Sequence, residues 1–287
     1  MRLNPVIARL ERGEPAFGCF LQGGSVPDAA WGARSGYDFV VYEMEHGPFN
    51  VTDLRLSLQF MLDRRELAEA GSIAPKVAPL VRVPANGREQ SQWIAKQVLD
   101  QGVYGIVFPM INTPEDAVAA LRACRYAQAL GAPDREAVGQ RGHSPAGASR
   151  YWGLPILDYT DKADVWPLDP DGEILLCLQC EHIESVENLP RILDAVDNKP
   201  GVILISEKDL SVSMGYRSLF TPEVAEAVHR AASICRERGV PFGSPQVTPE
   251  NVQQRLDDGF RFLMPLNPRN METVQRGRAA SGTVTSS

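Results

Sequence analysis

In the stretch "FVVYEMEHGPFN", Glu43, Glu45 and His46 directly follow the apolar run Phe39 to Tyr42 and directly precede Gly47 and Pro48. Two carboxylates and an imidazole thus leave a buried segment together and enter a tight turn. Polar residues recur at the ends of other apolar runs: Arg82 in "PLVRVP", Gln179 and Glu181 in "LCLQCEH", and Asp209 in "SEKDLSVSMG". Acids at the ends of adjacent strands suit a hard divalent cation kept partly hydrated. An arginine beside them suits a bound carboxylate or a developing enolate, and a histidine supplies a base near neutral pH. Each residue alone has a plainer reading. His46 could cap a turn, Arg82 could pair with a helix carboxylate, Glu181 could be solvated, and Asp209 could start a helix. Asp100, in "KQVLDQG", would be an ordinary residue at a helix C-terminus, where the dipole disfavours an acid. The argument rests on their occurring together.

Such groups need elements that bring them to one place. Strands are expected at 17–22, 37–43, 77–83, 104–110, 173–181, 201–207, 241–245 and 261–266, several of them apolar nearly throughout, as in parallel strands covered on both faces. Amphipathic helix candidates fall between them: "PDAAWGARSG", "NVTDLRLSLQFMLDRREL", "NGREQSQWIAKQVLDQG", "NTPEDAVAALRACRYAQALG", "ESVENLPRILDAV", "TPEVAEAVHRAASICRERG", "TPENVQQRLDDG" and "NPRNMETVQRGRAA". Eight alternations predict an α/β fold, a single (β/α)8 TIM barrel spanning residues 1–287, with a polar tail from about residue 279; an open doubly wound sheet is the alternative. In a barrel, strand-end residues converge on the C-terminal rim. Two irregular stretches, 68–79 and 139–172, interrupt the pattern. The second is long enough to be functional.

Composition excludes several classes. The 287 residues carry a net charge of −7, without the basic footprint of a nucleic-acid binder. No apolar run approaches the ~20 residues of a membrane span, and the N-terminus lacks a secretory apolar core. Five cysteines, an odd number, lie mostly in apolar runs. Cys177 and Cys180 would point to opposite faces of a strand. They read as reduced core thiols of a cytoplasmic protein.

The segments "YEMEHGPFN", "VRVP", "GIVFPMINTPEDA", "RGHS", "LQCEHIESVENLPRIL" and "SEKDLSVSMGY" together resemble, in order and spacing, the class II pyruvate aldolases of the HpcH/HpaI family (4-hydroxy-2-oxoheptanedioate and 2-dehydro-3-deoxyglucarate aldolase-like). The resemblance runs from about residue 15 to 265. It implies a barrel of the phosphoenolpyruvate/pyruvate superfamily, assembled as a homo-oligomer, a hexamer of dimers that exchange the last helix. It also implies a divalent metal ion, Mg2+, Mn2+ or Co2+, chelating a pyruvate unit. Carried onto this chain, Glu181 and Asp209 would be the metal ligands, with Gln179 in the same shell. Arg82 would hold the substrate and steady the enolate oxygen. His46 would be the acid/base group, oriented by Asp100. The amides of Ser206, Glu207 and Lys208 would bind the substrate carboxylate.

The chain departs from the family pattern at Glu43, where Asp is usual, and at "SEKDLS", where G-P-x-D-L-S is usual. The second departure alters the floor beneath the substrate carboxylate. Tyr151, Trp152, Tyr159 and Trp166 in the long loop point to a larger or more apolar aldehyde, or to an oligomer contact. The expected reaction joins or cleaves a 2-oxo acid and an aldehyde. Lys76, Lys96, Lys162 and Lys208 offer no strand-buried Schiff-base lysine. Two rivals remain open: a lyase for malyl-CoA or citramalyl-CoA type thioesters, which would need a cationic lip that the chain lacks, and a non-catalytic barrel that binds a small acid.

Overall fold

The computed structural model describes residues 2–22, 25–85, 92–133, 135–218 and 221–282. Among them nine strands form one wholly parallel sheet: β1 Ala16–Leu21, β2 Phe39–Glu43, β3 Ala78–Arg82, β4 Gly105–Phe108, β5 Val165–Trp166, β6 Ile174–Cys180, β7 Val202–Ile205, β8 Phe242–Val247 and β9 Phe262–Pro265. β1 pairs with both β2 and β9, and β4 pairs with β6, so eight strands close into a barrel. The two-residue β5 pairs only with the start of β6 and stands outside the closed circuit. Every predicted strand is present, with each end within two residues of its expected place. The cause is physical: a parallel strand packed on both faces must be apolar along its length.

Small residues make room inside the closed sheet. The rings of Phe39 and Phe262 stack 4.1 Å apart, flanking Gly18 on the strand between them. A Cβ at Gly18 would lie 2.2 Å from the Phe39 ring. The N-terminal ends of the strands are sealed by the helix Pro5–Glu11. Its cap, Asn4, is fully buried and bonded by its Nδ2 to the carbonyls of Tyr104 (3.0 Å) and Glu173 (3.2 Å). Its own amide donates to the Glu173 carboxylate at 2.8 Å.

The helices differ from expectation in several places. The helix expected over 50–67 breaks at Leu62, which is extended, and Asp63 caps a second helix, Arg64–Ala70. The helix expected to reach residue 131 stops at Cys124. Arg125 turns extended there because its fully buried guanidinium is held by Asp164 and by the carbonyls of Arg135 and Ala137. The irregular stretch 139–172 contains the helices Ala146–Trp152 and Ile156–Lys162 together with β5. Its aromatic residues belong to the core: Trp152 stacks on Tyr104 at 4.5 Å and meets the Tyr159 ring edge-on at 4.8 Å. All four aromatics of that stretch are buried, so they are unavailable to an aldehyde or to a second chain. The last helix, Glu272–Ser281, packs on its own barrel, with Arg278 bonded to the Gly36 carbonyl and to Asp38. That helix runs through Ser281, past the expected start of the polar tail. Residues 283–287, and residues 86–91 of the helix expected over 86–102, lie outside the described residues.

All five cysteines are buried and free. Among the described residues no helix is long and apolar enough to cross a membrane. Asn4→Ala removes a helix cap and strands two buried carbonyls. It should cost about 2 kcal/mol, read as a lower urea midpoint at constant slope. An unchanged midpoint would mean that the N-terminal seal is not part of the cooperative fold.

Candidate active site

Strand register decides what meets at the rim. Glu43, the last residue of β2, lies level with Arg82, the last residue of β3. The Glu43 side chain is completely buried. Its Oε2 accepts from Arg82 Nε at 2.9 Å and from Nη2. Its Oε1 accepts the amides of Glu45 (2.8 Å) and His46 (3.2 Å). Glu43 is therefore fully occupied in holding Arg82 and folding the turn, which leaves no lone pair directed at a ligand. Gly47 is required in that turn, since a Cβ there would lie 2.6 Å from the Glu43 carbonyl oxygen. Arg82 rests over the Phe20 ring at 4.5 Å and turns its remaining Nη1 to Glu45 Oε2 at 3.1 Å. His46, with a side chain 67% exposed, has Nε2 3.5 Å from the same Glu45 oxygen.

Across the barrel, Glu181 directly follows β6 and is buried. Its Oε1 accepts the Met110 amide at 2.9 Å, and its Oε2 accepts from Gln179 Nε2. Met110 takes φ 53°, the left-handed region that a non-glycine residue enters at a cost of roughly 1–2 kcal/mol. That conformation follows β4 directly and aims the amide at the carboxylate. Gln179 Oε1 is buried with no hydrogen-bond partner. Asp209, half-buried, sits in the first turn of the helix Glu207–Ser213, immediately after β7.

Burial, opposed by the Met110 amide and reinforced by the charges of Glu45 and Asp209, pushes the Glu181 carboxyl up to about 8. Burial also raises Glu45, against the pull of Arg82. Three carboxylates thus share one guanidinium that Glu43 already engages. Among the described residues no group of three or more His, Cys, Asp or Glu is arranged to hold a metal by itself. A hard cation that keeps part of its hydration needs only one or two carboxylates and further oxygens. Glu181, Asp209 and the unpartnered Gln179 Oε1 fit that requirement.

The other sequence-predicted site residues are placed differently. Asp100 does not meet His46 within this chain. It bonds Arg141 Nη2 at 2.8 Å, and that guanidinium also bonds Tyr159 Oη at 2.9 Å and stacks 4.3 Å over the Tyr126 ring. The Ser206 amide is taken by the Cys180 carbonyl (3.1 Å) and the Glu207 amide by Gln246 Oε1 (3.0 Å). Glu207 is buried and turned to Arg255, away from any carboxylate floor, and Lys208 is exposed. Among the described residues, no acceptor is seen for the amides of Lys208 and Asp209, and the cap residue Ser206 gives them no side-chain bond. Sequence reasoning assigned no role to Glu45, Met110 or Arg141. Glu45 stands out in sequence only as one carboxylate of the turn, and Met110 could have been found from the "FPMIN" segment that follows β4. Nothing near Arg141 in sequence announces its partners.

A parallel barrel whose C-terminal strand ends gather carboxylates, an arginine and an imidazole defines the protein as a (β/α)8-barrel enzyme. A family model described as HpcH/HpaI aldolase/citrate lyase matches residues 16–264. The chain belongs to that family and is a carbon–carbon lyase of the aldolase type. It is 30% identical over 264 residues to a hydroxypyruvate/pyruvate aldolase of Paraburkholderia phytofirmans, covering 91% of this chain and 90% of the relative. It is 32% identical over 263 residues to a 2-keto-3-deoxy-L-rhamnonate aldolase of Escherichia coli K12, covering 91% and 85%. The crystal structure of an HpcH/HpaI aldolase/citrate lyase family protein from Burkholderia cenocepacia superposes with a TM-score of 0.73 at 26% identity, covering 96% of both chains.

The raised Glu181 carboxyl makes stability depend on pH. In EDTA-treated protein, folded Glu181 keeps its proton to about 8, while the unfolded chain releases it near 4.5. The stability this contributes is complete below the lower value and lost as pH rises through the upper one. At about 1.4 kcal/mol per pKa unit, the loss is at most roughly 5 kcal/mol. Glu181→Gln should remove most of the fall in thermal midpoint over that window. A wild-type midpoint that stays flat there would show that the carboxyl is solvated.

Proposed function

We propose that this protein is a metal-dependent class II pyruvate aldolase that reversibly cleaves 4-hydroxy-2-oxo acids to pyruvate and an aldehyde. One observation carries the reading: two acids at the ends of the neighbouring strands β6 and β7, Glu181 and Asp209, meet at the mouth where, among the described residues, Arg82 supplies too little positive charge for them. A divalent ion, Mg2+, Mn2+ or Co2+, held by Glu181 and Asp209 with Gln179 beside them, would supply Lewis acidity to the carbonyl and carboxylate oxygens of the 2-oxo acid. The unbonded amides of Lys208 and Asp209, with the Ser206 hydroxyl, receive the substrate carboxylate. The Arg82 guanidinium stands ready for the oxygen at C2, where charge grows as the enolate forms. His46 takes the proton of the C4 hydroxyl, and Glu45, 3.5 Å from its Nε2, steadies the imidazolium. The C3–C4 bond then breaks, its electron pair passes into the enolate, the aldehyde departs, and a proton returned to C3 completes pyruvate. None of the five lysines is buried, which counts against a Schiff-base route, since that route relies on a desolvated amine. We further propose a cytoplasmic homo-oligomer, a hexamer built from dimers, in which Asp100, held by Arg141, would face a neighbouring copy.

Pyruvate release from a 4-hydroxy-2-oxo acid tests the reading. It should stop in EDTA and return with Mn2+ or Mg2+, and Glu181→Ala should abolish it. Arg82→Lys, which keeps the charge but loses the fork, should lower kcat by about 10²-fold. Turnover of acyl-CoA thioesters alone would favour the thioester lyase, and no turnover of either would favour an acid-binding barrel.

A further inference from the structure

The helix Glu207–Ser213 presents Asp209, yet it spans only seven residues and has no side-chain bond at its cap, Ser206. A helix this short does not hold its own orientation. Its last turn is tied toward β6, where the Ile183 amide donates to Ser213 Oγ at 2.9 Å. Its first turn is tied from the opposite side, through Glu207. The Glu207 amide donates to Gln246 Oε1 at 3.0 Å. One carboxylate oxygen accepts from Arg255 Nη2, and the other accepts from Ser244 Oγ at 3.4 Å. Arg255 itself rests over the Phe260 ring at 5.0 Å. Gln246 and Arg255 both line a groove of about 610 Å³ between the helices Pro222–Glu237 and Val252–Asp257, and neither contacts Glu45, Arg82 or Glu181.

We propose that Arg255 and Gln246 are positioning residues: they clamp Glu207 from the next βα unit and so set where the Asp209 carboxylate stands relative to Glu181. The Glu207 carboxylate is buried, and Arg255 is the cation that touches it. A buried carboxylate stripped of its cation seeks water. Glu207 would carry the first helical turn with it, and Asp209 lies two residues further on. The clamp occupies the place where the chain reads Ser-Glu-Lys before Asp-Leu-Ser. The inference rests on the proposed metal-dependent reading for its consequence and on this geometry for its cause.

The test uses full-length protein, stripped with EDTA and titrated with Mn2+ alone, its binding followed by electron paramagnetic resonance. Amide hydrogen exchange over residues 208–210 is measured on the same samples. Arg255→Met should weaken Mn2+ binding by about tenfold or more, the usual effect of removing support behind a ligand, and should speed exchange at those amides. Arg255→Lys should recover part of both. At saturating Mn2+ the loss should appear in the metal requirement more than in kcat. A folded Arg255→Met protein with wild-type Mn2+ affinity and wild-type exchange would overturn the proposal. If Arg255→Met does not fold, Gln246→Ala, which removes one neutral acceptor, decides by the same two readouts. If the wild-type protein takes up no Mn2+, the metal reading fails by itself, and exchange at residues 208–210 alone then decides the clamp.

Discussion

The charge balance of the barrel mouth governs the rest of the site. Glu45, Glu181 and Asp209 bring three carboxyl groups into a partly dehydrated space, and Arg82 answers them with one positive group that Glu43 already holds. In water such groups would hardly feel one another, but at reduced dielectric each like-charge pair costs several times more. The fold carries that cost in visible ways: a carboxyl pushed up to about 8, a left-handed Met110 whose amide partly compensates it, and a buried amide oxygen on Gln179 with nothing to accept from. Stabilising groups are aimed at Glu181 from two strands, and still the deficit remains. A mouth held in this condition favours whatever brings positive charge to Glu181 and Asp209.

The barrel is what makes the condition sustainable. Parallel register sets Glu43 level with Arg82, and the pairing of β6 with β7 sets Cys180 level with Ile205, so that Glu181 and Ser206 leave the sheet side by side. Residues separated by more than a hundred positions then share one rim. The rigidity comes from below, from the Phe39–Phe262 stack over Gly18 and from the Asn4 seal. The closed sheet leaves the strand ends little freedom to move apart when their charges repel.

The eight strands were legible because burial on both faces writes itself as an apolar run, and the acids at their ends stood out against those runs. Glu181, Asp209, Arg82 and His46 could be placed on the rim for the same reason. What the sequence concealed depends on partners chosen in three dimensions. Asp100 has no local signal for Arg141, which lies 41 positions away in the stretch read as irregular. The aromatic residues of that stretch pointed to an aldehyde or an oligomer contact because nothing nearby in sequence reveals the Tyr104 ring on which Trp152 stacks. Arg125 ended a strongly patterned helix early because its buried guanidinium needs Asp164. Glu207 appeared to face the substrate because it neighbours Asp209. Its true partner is Arg255, 48 residues on.

The two departures from the family pattern share one direction. Glu43 and Glu207 are both carboxylates, both are buried, and each binds an arginine on the next βα unit. Glu43 is saturated by Arg82 and the turn amides, and Glu207 is turned to Arg255 and Ser244. At Glu43 the carboxylate is only lengthened, and at Glu207 the added carboxylate stands behind the mouth, paired with Arg255, so it changes how firmly the mouth is supported rather than its charge. Glu43 fixes the fork of Arg82 and the turn bearing His46. Glu207 fixes the short helix bearing Asp209. The substitutions therefore leave the chemistry of the reacting groups alone and act on their spacing, the quantity to which an arrangement of fixed charges is most sensitive.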